Sequence, residues 1–224
     1  LVLAGSGDGT LNASLTGGFE ARTLNGTGAW TLSGTDGDAS DWTLNAGELR
    51  LTGGQAVNNL AGIIVNAGAT LSVIDSEAIG ALTGTGAVVI SDAQALVVGA
   101  DDGSSTFGGV ISGLGGLQHV GAGTLTLTGA NTYTGLTLVQ GGTLRLGASG
   151  VIADVSDMTV LTGATLDLQG FDETVRTLLL NGTLAGTGTL TAGQYQLNGA
   201  TVNANLGAGD LFNTGGVSTL NGTA

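Results

Sequence analysis

No cysteine, no proline and no lysine occur in the 224 residues of this chain, and it holds a single histidine and a single methionine. The missing cysteines exclude disulfide frameworks, thiolate zinc sites and cysteine nucleophiles together. Four arginines stand against 17 acidic residues, for a net charge of −13. Nucleic acid is therefore not an expected partner, because phosphate binding depends on basic residues that release counterions. An anionic membrane surface is disfavoured for the same reason. A Ser-His-Asp triad would have to use His119, which lies in Leu117-Gln118-His119-Val120 without the Gly-x-Ser-x-Gly setting of a nucleophile elbow. His119 reads as a surface or turn residue. No stretch approaches the roughly 18 consecutive apolar residues of a membrane span, and no basic segment followed by an apolar run marks a leader. The chain opens on Leu1 rather than Met and reads as a piece of something longer.

What is present is aliphatic and rich in glycine. Hydrophobic residues make up 42% of the chain and charged residues 9%, with 44 Gly but only four Phe, two Trp and two Tyr. That hydrophobic content requires a folded core, and the core must be built from Leu, Val, Ile and Ala. Glycine stands far above its usual share of about 7%, yet without a G-X-Y period or proline, so collagen is excluded and glycine marks turns.

The strand signature Gly-x-Leu-x-Leu recurs along the chain. It appears at Gly47-Glu48-Leu49-Arg50-Leu51, Gly123 to Leu127 and Gly142 to Leu146, and with one extra residue at Gly68 to Val73 and Gly163 to Leu168. Subtracting the positions of successive Leu gives 71 − 49 = 22, 144 − 125 = 19 and 166 − 144 = 22. Alternation along a strand sends the two Leu inward and Arg50, Ser72, Thr126, Arg145 or Asp167 outward. A second signal, an apolar residue followed by Asn and then Gly or Ala, occurs at Asn12, Asn25, Asn45, Asn66, Asn181, Asn198 and Asn221. Asn tolerates left-handed backbone, so each pair can turn a corner, and amides in stacked corners can bond to one another as a ladder.

Hairpins are the rival reading of Asn-Gly between alternating strands. Equal internal registers about every 20 residues favour a parallel stack, since identical coils superpose only when equivalent strands run the same way. The expected fold is all-β: a right-handed parallel β-helix, or β-solenoid, with coils of about 20 residues. About 11 coils at roughly 4.8 Å each give a rod on the order of 50 Å long. Residues 1–224 read as one continuous domain, least regular over 1–46, which holds Trp30 and Trp42, and clearest over 107–206.

The segment GAGTLTLTGANTYTGLTLVQGGTLRLG from Gly121 to Gly147, with its lead-in from Thr106 to Leu117 and its continuation to Gly199, resembles the autotransporter-associated β-strand repeat (passenger-associated transport repeat) of bacterial autotransporters and large surface adhesins. Thr132-Tyr133-Thr134-Gly135 is the more specific part of that likeness. The resemblance implies a β-helical passenger at the bacterial cell surface, associated with the outer membrane or secreted. It implies a translocator β-barrel in the parent, while this fragment itself would insert in no membrane. It further implies a non-enzymatic stalk for adhesion, self-association or biofilm formation, whose partners are copies of itself, a host or cell-surface receptor, or a glycan. His119 departs from the family pattern, which commonly has Lys there.

The alternative function is a polysaccharide-processing β-helix enzyme, a glycosidase or lyase, using paired carboxylates. The candidate pairs are Asp101 with Asp102, Asp154 with Asp157 and Asp172 with Glu173; contiguous residues on a strand face opposite ways and make poor couples. No catalytic or cofactor-binding residue is assigned. Calcium is the metal considered, in the loop Thr35-Asp36-Gly37-Asp38-Ala39-Ser40-Asp41, where Asp36, Asp38 and Asp41 could supply oxygen ligands. A solvated acidic loop is the competing expectation. Ice binding by a flat threonine array is a third class, but the outward positions vary and no regular Thr-x-Thr face emerges from the sequence.

Overall fold

The computed structural model describes residues 1–12, 15 and 21–222. The described residues contain no helix, and every strand pairing among them is parallel. The strands form three sheets of twelve, six and nine strands wound around one core. The twelve-stranded sheet runs from Val2–Leu3 to Thr219–Leu220 and carries the stack from end to end. Its eleven inter-strand steps, at about 4.8 Å each, make a rod of about 50 Å. The parallel β-solenoid expected from the repeat is the fold observed.

The Leu registers counted in the sequence are direct pairings: Leu49 with Leu71, Leu125 with Leu144, and Leu144 with Leu166. All these leucines are 0–1% exposed. Stacking like on like buries each aliphatic side chain against its equivalents above and below, worth about 2 kcal/mol or more per Leu. The signature nevertheless marks two faces. Gly47–Leu51 and Ala69–Val73 lie in the six-stranded sheet, whereas Thr124–Leu127, Thr143–Leu146 and Thr165–Asp167 lie in the twelve-stranded sheet. Among the described residues, only the central coils, from Ile63 to His119, carry a strand on all three faces.

Thr132-Tyr133-Thr134-Gly135 explains where the six-stranded sheet stops. After its last strand, Val110–Gly113, the next coil still donates Thr132 N–H to Ile111 O (2.8 Å) and Thr134 N–H to Gly113 O (3.0 Å) without forming a strand. Tyr133 plugs the core there, its hydroxyl 2.7 Å from Thr137 Oγ1. At the neighbouring corner a column of glycines is enforced by close approach. A Cβ on Gly109 would stand 1.9 Å from Gly86 O, and one on Gly129 would stand 1.9 Å from Gly109 O.

The asparagine ladder forms where three corners stack in sequence. Asn45 donates its amide to Asn25 Oδ1 at 2.7 Å, and Asn66 donates to Asn45 Oδ1 at 2.7 Å. Asn221 likewise donates to Asn203 Oδ1 at 2.8 Å. Asn181 follows a strand of the nine-stranded sheet and Asn198 ends one, so they stand in a different column and take no part in these bonds. The Leu11-Asn12-Ala13 signal falls partly on Ala13, outside the described residues. Asn45→Ala removes both of the ladder's side-chain bonds and should cost about 1–2 kcal/mol, read by urea unfolding; an unchanged midpoint would show that the ladder contributes nothing.

Candidate functional site

The acidic loop is neither open nor solvated as a unit. Arg22 enters the core opposite Trp42, with its guanidinium carbon 5.7 Å from the indole centroid. Asp36 folds under it: Asp36 Oδ1 accepts from Arg22 Nη2 at 2.9 Å, and Oδ2 accepts from Arg22 Nη1. Both side chains are fully buried. Asp38 lies 3.4 Å from Arg22 Nη2, and Asp41 Oδ1 accepts Gly62 N–H at 2.7 Å. Asp36 is therefore a buried counter-ion, which corrects the solvated-loop expectation. Among the described residues no group of three or more His, Asp or Glu side chains is placed to hold a metal ion.

His119 is also inside rather than on the surface. It sits on Gly116–His119 at an inward position, 2% exposed, with Nδ1 3.1 Å from Val98 O and Nε2 3.1 Å from Gly123 O. Burial pulls its pKa below the ordinary value, against the two carbonyl contacts. The sequence conceals this because Gly116-Leu117-Gln118-His119 carries the polar histidine at the second inward position of an alternating strand.

The carboxylate pairs considered for hydrolysis do not converge. Asp102 Oδ1 accepts Ala122 N–H at 2.8 Å and Asp101 Oδ1 accepts Gly103 N–H at 3.1 Å, both on exposed turns. Asp157 is paired with Arg176, whereas Asp154 is an exposed turn residue. Asp172 faces solvent and binds Thr189 N–H at 2.8 Å, whereas Glu173 points into the core.

Glu173 belongs to an internal device that no pattern in the sequence signals. Its Oε2 accepts Val151 N–H at 2.9 Å and Ile152 N–H at 3.2 Å, and its Oε1 accepts Thr174 N–H at 3.1 Å. Glu77 does the same one region earlier, accepting Ala56 N–H at 3.0 Å and Val57 N–H at 3.4 Å. Each glutamate opens a strand and reaches back one coil to satisfy loop N–H groups that would otherwise be buried without acceptors. Burial pushes both carboxyls up to about 7, with neighbouring Asp36 and Asp154 respectively adding to the rise.

A groove of about 740 Å³ lies on the outer face of the six-stranded sheet. Its floor comes from five consecutive strands or their corners, through Asp8, Ala29, Glu48, Arg50, Thr70, Ser72 and Val89. Glu48 and Arg50 are two apart on one strand and so face the same way. Glu48 Oε2 accepts from Arg50 Nη2 at 2.7 Å, and Oε1 accepts from Ser72 Oγ at 2.6 Å. The bond from Arg50 is the main influence holding the Glu48 carboxyl below its ordinary value. The Glu-x-Arg spacing is visible in the sequence; its neighbours are not, because they come from successive coils.

A family model for the passenger-associated-transport-repeat matches residues 23–51 and 120–146. The chain carries passenger-associated transport repeats. The first matched stretch lies largely within the region expected to be least regular. There the irregular loops between Ser33 and Asp41 obscure strands that stack in register, Arg22–Leu24 on Trp42–Leu44 and Ala29–Leu32 on Gly47–Leu51. The repeat-bearing chain is also 38% identical over 149 residues to the adhesin BmaC autotransporter of Brucella suis biovar 1 (strain 1330), covering 63% of this chain and 4% of that protein. The passenger-type sequence found here thus spans a small part of that relative's length. No solved structure matches the chain.

Proposed function

We propose that this chain is a non-enzymatic stalk or adhesive segment of an autotransporter passenger, displayed at the bacterial surface or released from it after export through a translocator barrel in the parent. The observation that carries this reading is the uninterrupted parallel stack: twelve strands in one sheet make a stiff rod with long faces, suited to many weak contacts rather than one pocket. The similarity to an adhesin autotransporter supports it. The acids best suited by pKa to proton transfer, Glu77 and Glu173, are held under backbone N–H groups in the core, which speaks against hydrolysis. Lateral association of copies, attachment to a receptor or glycan, and biofilm formation are the roles proposed for the parent. Bacteria displaying the intact parent should aggregate or attach several-fold better than a strain lacking this segment. Equal attachment by the two strains, with equal display, would refute the proposal.

A further inference from the structure

The groove on the six-stranded sheet has the chemistry of a carbohydrate site, and we propose that it binds a short stretch of a neutral, extended glycan. The inference rests on the adhesive reading and names a site and ligand class for it. Five strands contribute to the groove, so it runs about 19 Å along the rod at about 4.8 Å per step. Its volume of about 740 Å³ lies within the range of roughly 300–1,000 Å³ typical of ligand sites.

Three features select the ligand. First, the polar groups are fixed before anything binds: Ser72 and Arg50 hold Glu48 from two sides, so the carboxylate and guanidinium are pre-oriented at little further entropic cost. Vicinal sugar hydroxyls, each both donor and acceptor, complement such a pair. Arg50 is 43% exposed and commits one N–H to Glu48, leaving donors for a ligand. Second, Arg50 is neutralised by Glu48 and shares the groove with Asp8, so an anionic ligand gains no net attraction. Third, Val89, 39% exposed, presents an apolar surface for sugar C–H groups, while the lining includes no aromatic side chain to hold a small apolar ligand.

The opposing candidate is the outer face of the twelve-stranded sheet. There Thr124, Thr143, Thr165, Thr183, Thr201 and Thr219 form an unbroken column, a regularity not expected from the varied outward positions of the sequence. The adjacent outward column changes from Thr126 to Arg145, Asp167 and Ala185, so a paired threonine array for ice is not formed.

The test displays the whole chain at high density on beads, to read weak binding through avidity, against an array of neutral and acidic glycans. Binding to at least one neutral glycan is expected, reduced tenfold or more by Arg50→Gln and by Thr70→Trp, which fills the groove without removing a side-chain bond. Thr165→Ala on the other face should leave it unchanged. No binding to any neutral glycan, or binding that survives both groove variants while their β-sheet circular dichroism is intact, would overturn the site. If the same variants in the displayed parent leave cell attachment at wild-type level although glycan binding is lost, the groove is not the adhesive site and the stalk reading stands. Loss of attachment on deleting the whole segment tests that reading separately.

Discussion

Asp36→Ala should destabilise the N-terminal coils by about 3–5 kcal/mol, because it strips a buried guanidinium of its bidentate partner. Arg22 would keep Asp38, 3.4 Å away, the carbonyl of Ser40 at 3.3 Å and the face of Trp42, none of which replaces two charge-assisted bonds in the core. In a solenoid each coil touches only its neighbours, so the damage should be local. Hydrogen exchange should show loss of protection over residues 21–65 with little change over 120–206. The double variant Arg22→Met, Asp36→Leu removes both charges at similar volume and should recover most of the loss, since a buried ion pair is often replaceable by packed apolar groups. Protection near Trp42 that is unchanged in Asp36→Ala would show that the pair is not a structural element of these coils.

Stability should fall as pH rises from about 4.5 to about 7. Glu77 and Glu173 have carboxyls raised from 4.5 to about 7 in the fold, so between those values the folded chain holds protons that the unfolded chain has released. The linked stabilisation is full below the unfolded value and lost as pH passes the folded one, on the order of 1–3 kcal/mol per glutamate. His119 works the other way: its lowered pKa contributes stability above its ordinary 6.5 that is lost as pH falls through the folded value. The general self-repulsion of a chain of net charge −13 shares the sign of the glutamates. Glu77→Gln with Glu173→Gln isolates their part, because each amide does not ionise and keeps one acceptor oxygen, enough for Ala56 N–H at position 77 and for Val151 and Ile152 N–H at position 173, while its NH2 gives up the bond from Val57 or Thr174. The double variant should melt higher than wild type at pH 8 and show a flatter profile between pH 5 and 8. A wild-type melting temperature equal at both pH values, or a double variant with the full wild-type slope, would contradict the assignment.

Both predictions concern residues whose roles are hard to read in one dimension. Asp36 is visible as one of three acids in a loop, and composition favours solvent or a cation around it; Arg22 stands on an earlier strand with nothing in the sequence to link the two. Glu77 and Glu173 open strands otherwise ordinary in pattern, and their partners are loop N–H groups one coil back. His119 breaks the alternation rule, since a polar residue at an inward position reads as outward until its neighbours are known. The aliphatic registers are different. Leu49 on Leu71, Leu125 on Leu144 and Leu144 on Leu166 can be counted directly, because a repeated coil places chemically similar side chains in contact.

The sequence by itself determined the all-β class, the parallel stack, the length of the coil and the inward leucines. Each follows from periodicity, which is one-dimensional information. Which of its asparagine corners stack into the Asn25–Asn45–Asn66 ladder was left to the structure. Only the tertiary structure decided which of three faces each strand joins, that the acidic loop holds a buried arginine, and that Glu48, Arg50 and Ser72 meet in a groove built from five coils. Those facts depend on corner lengths that differ from coil to coil. A small insertion or deletion at a corner alters which side chains stand side by side while leaving the repeat itself intact.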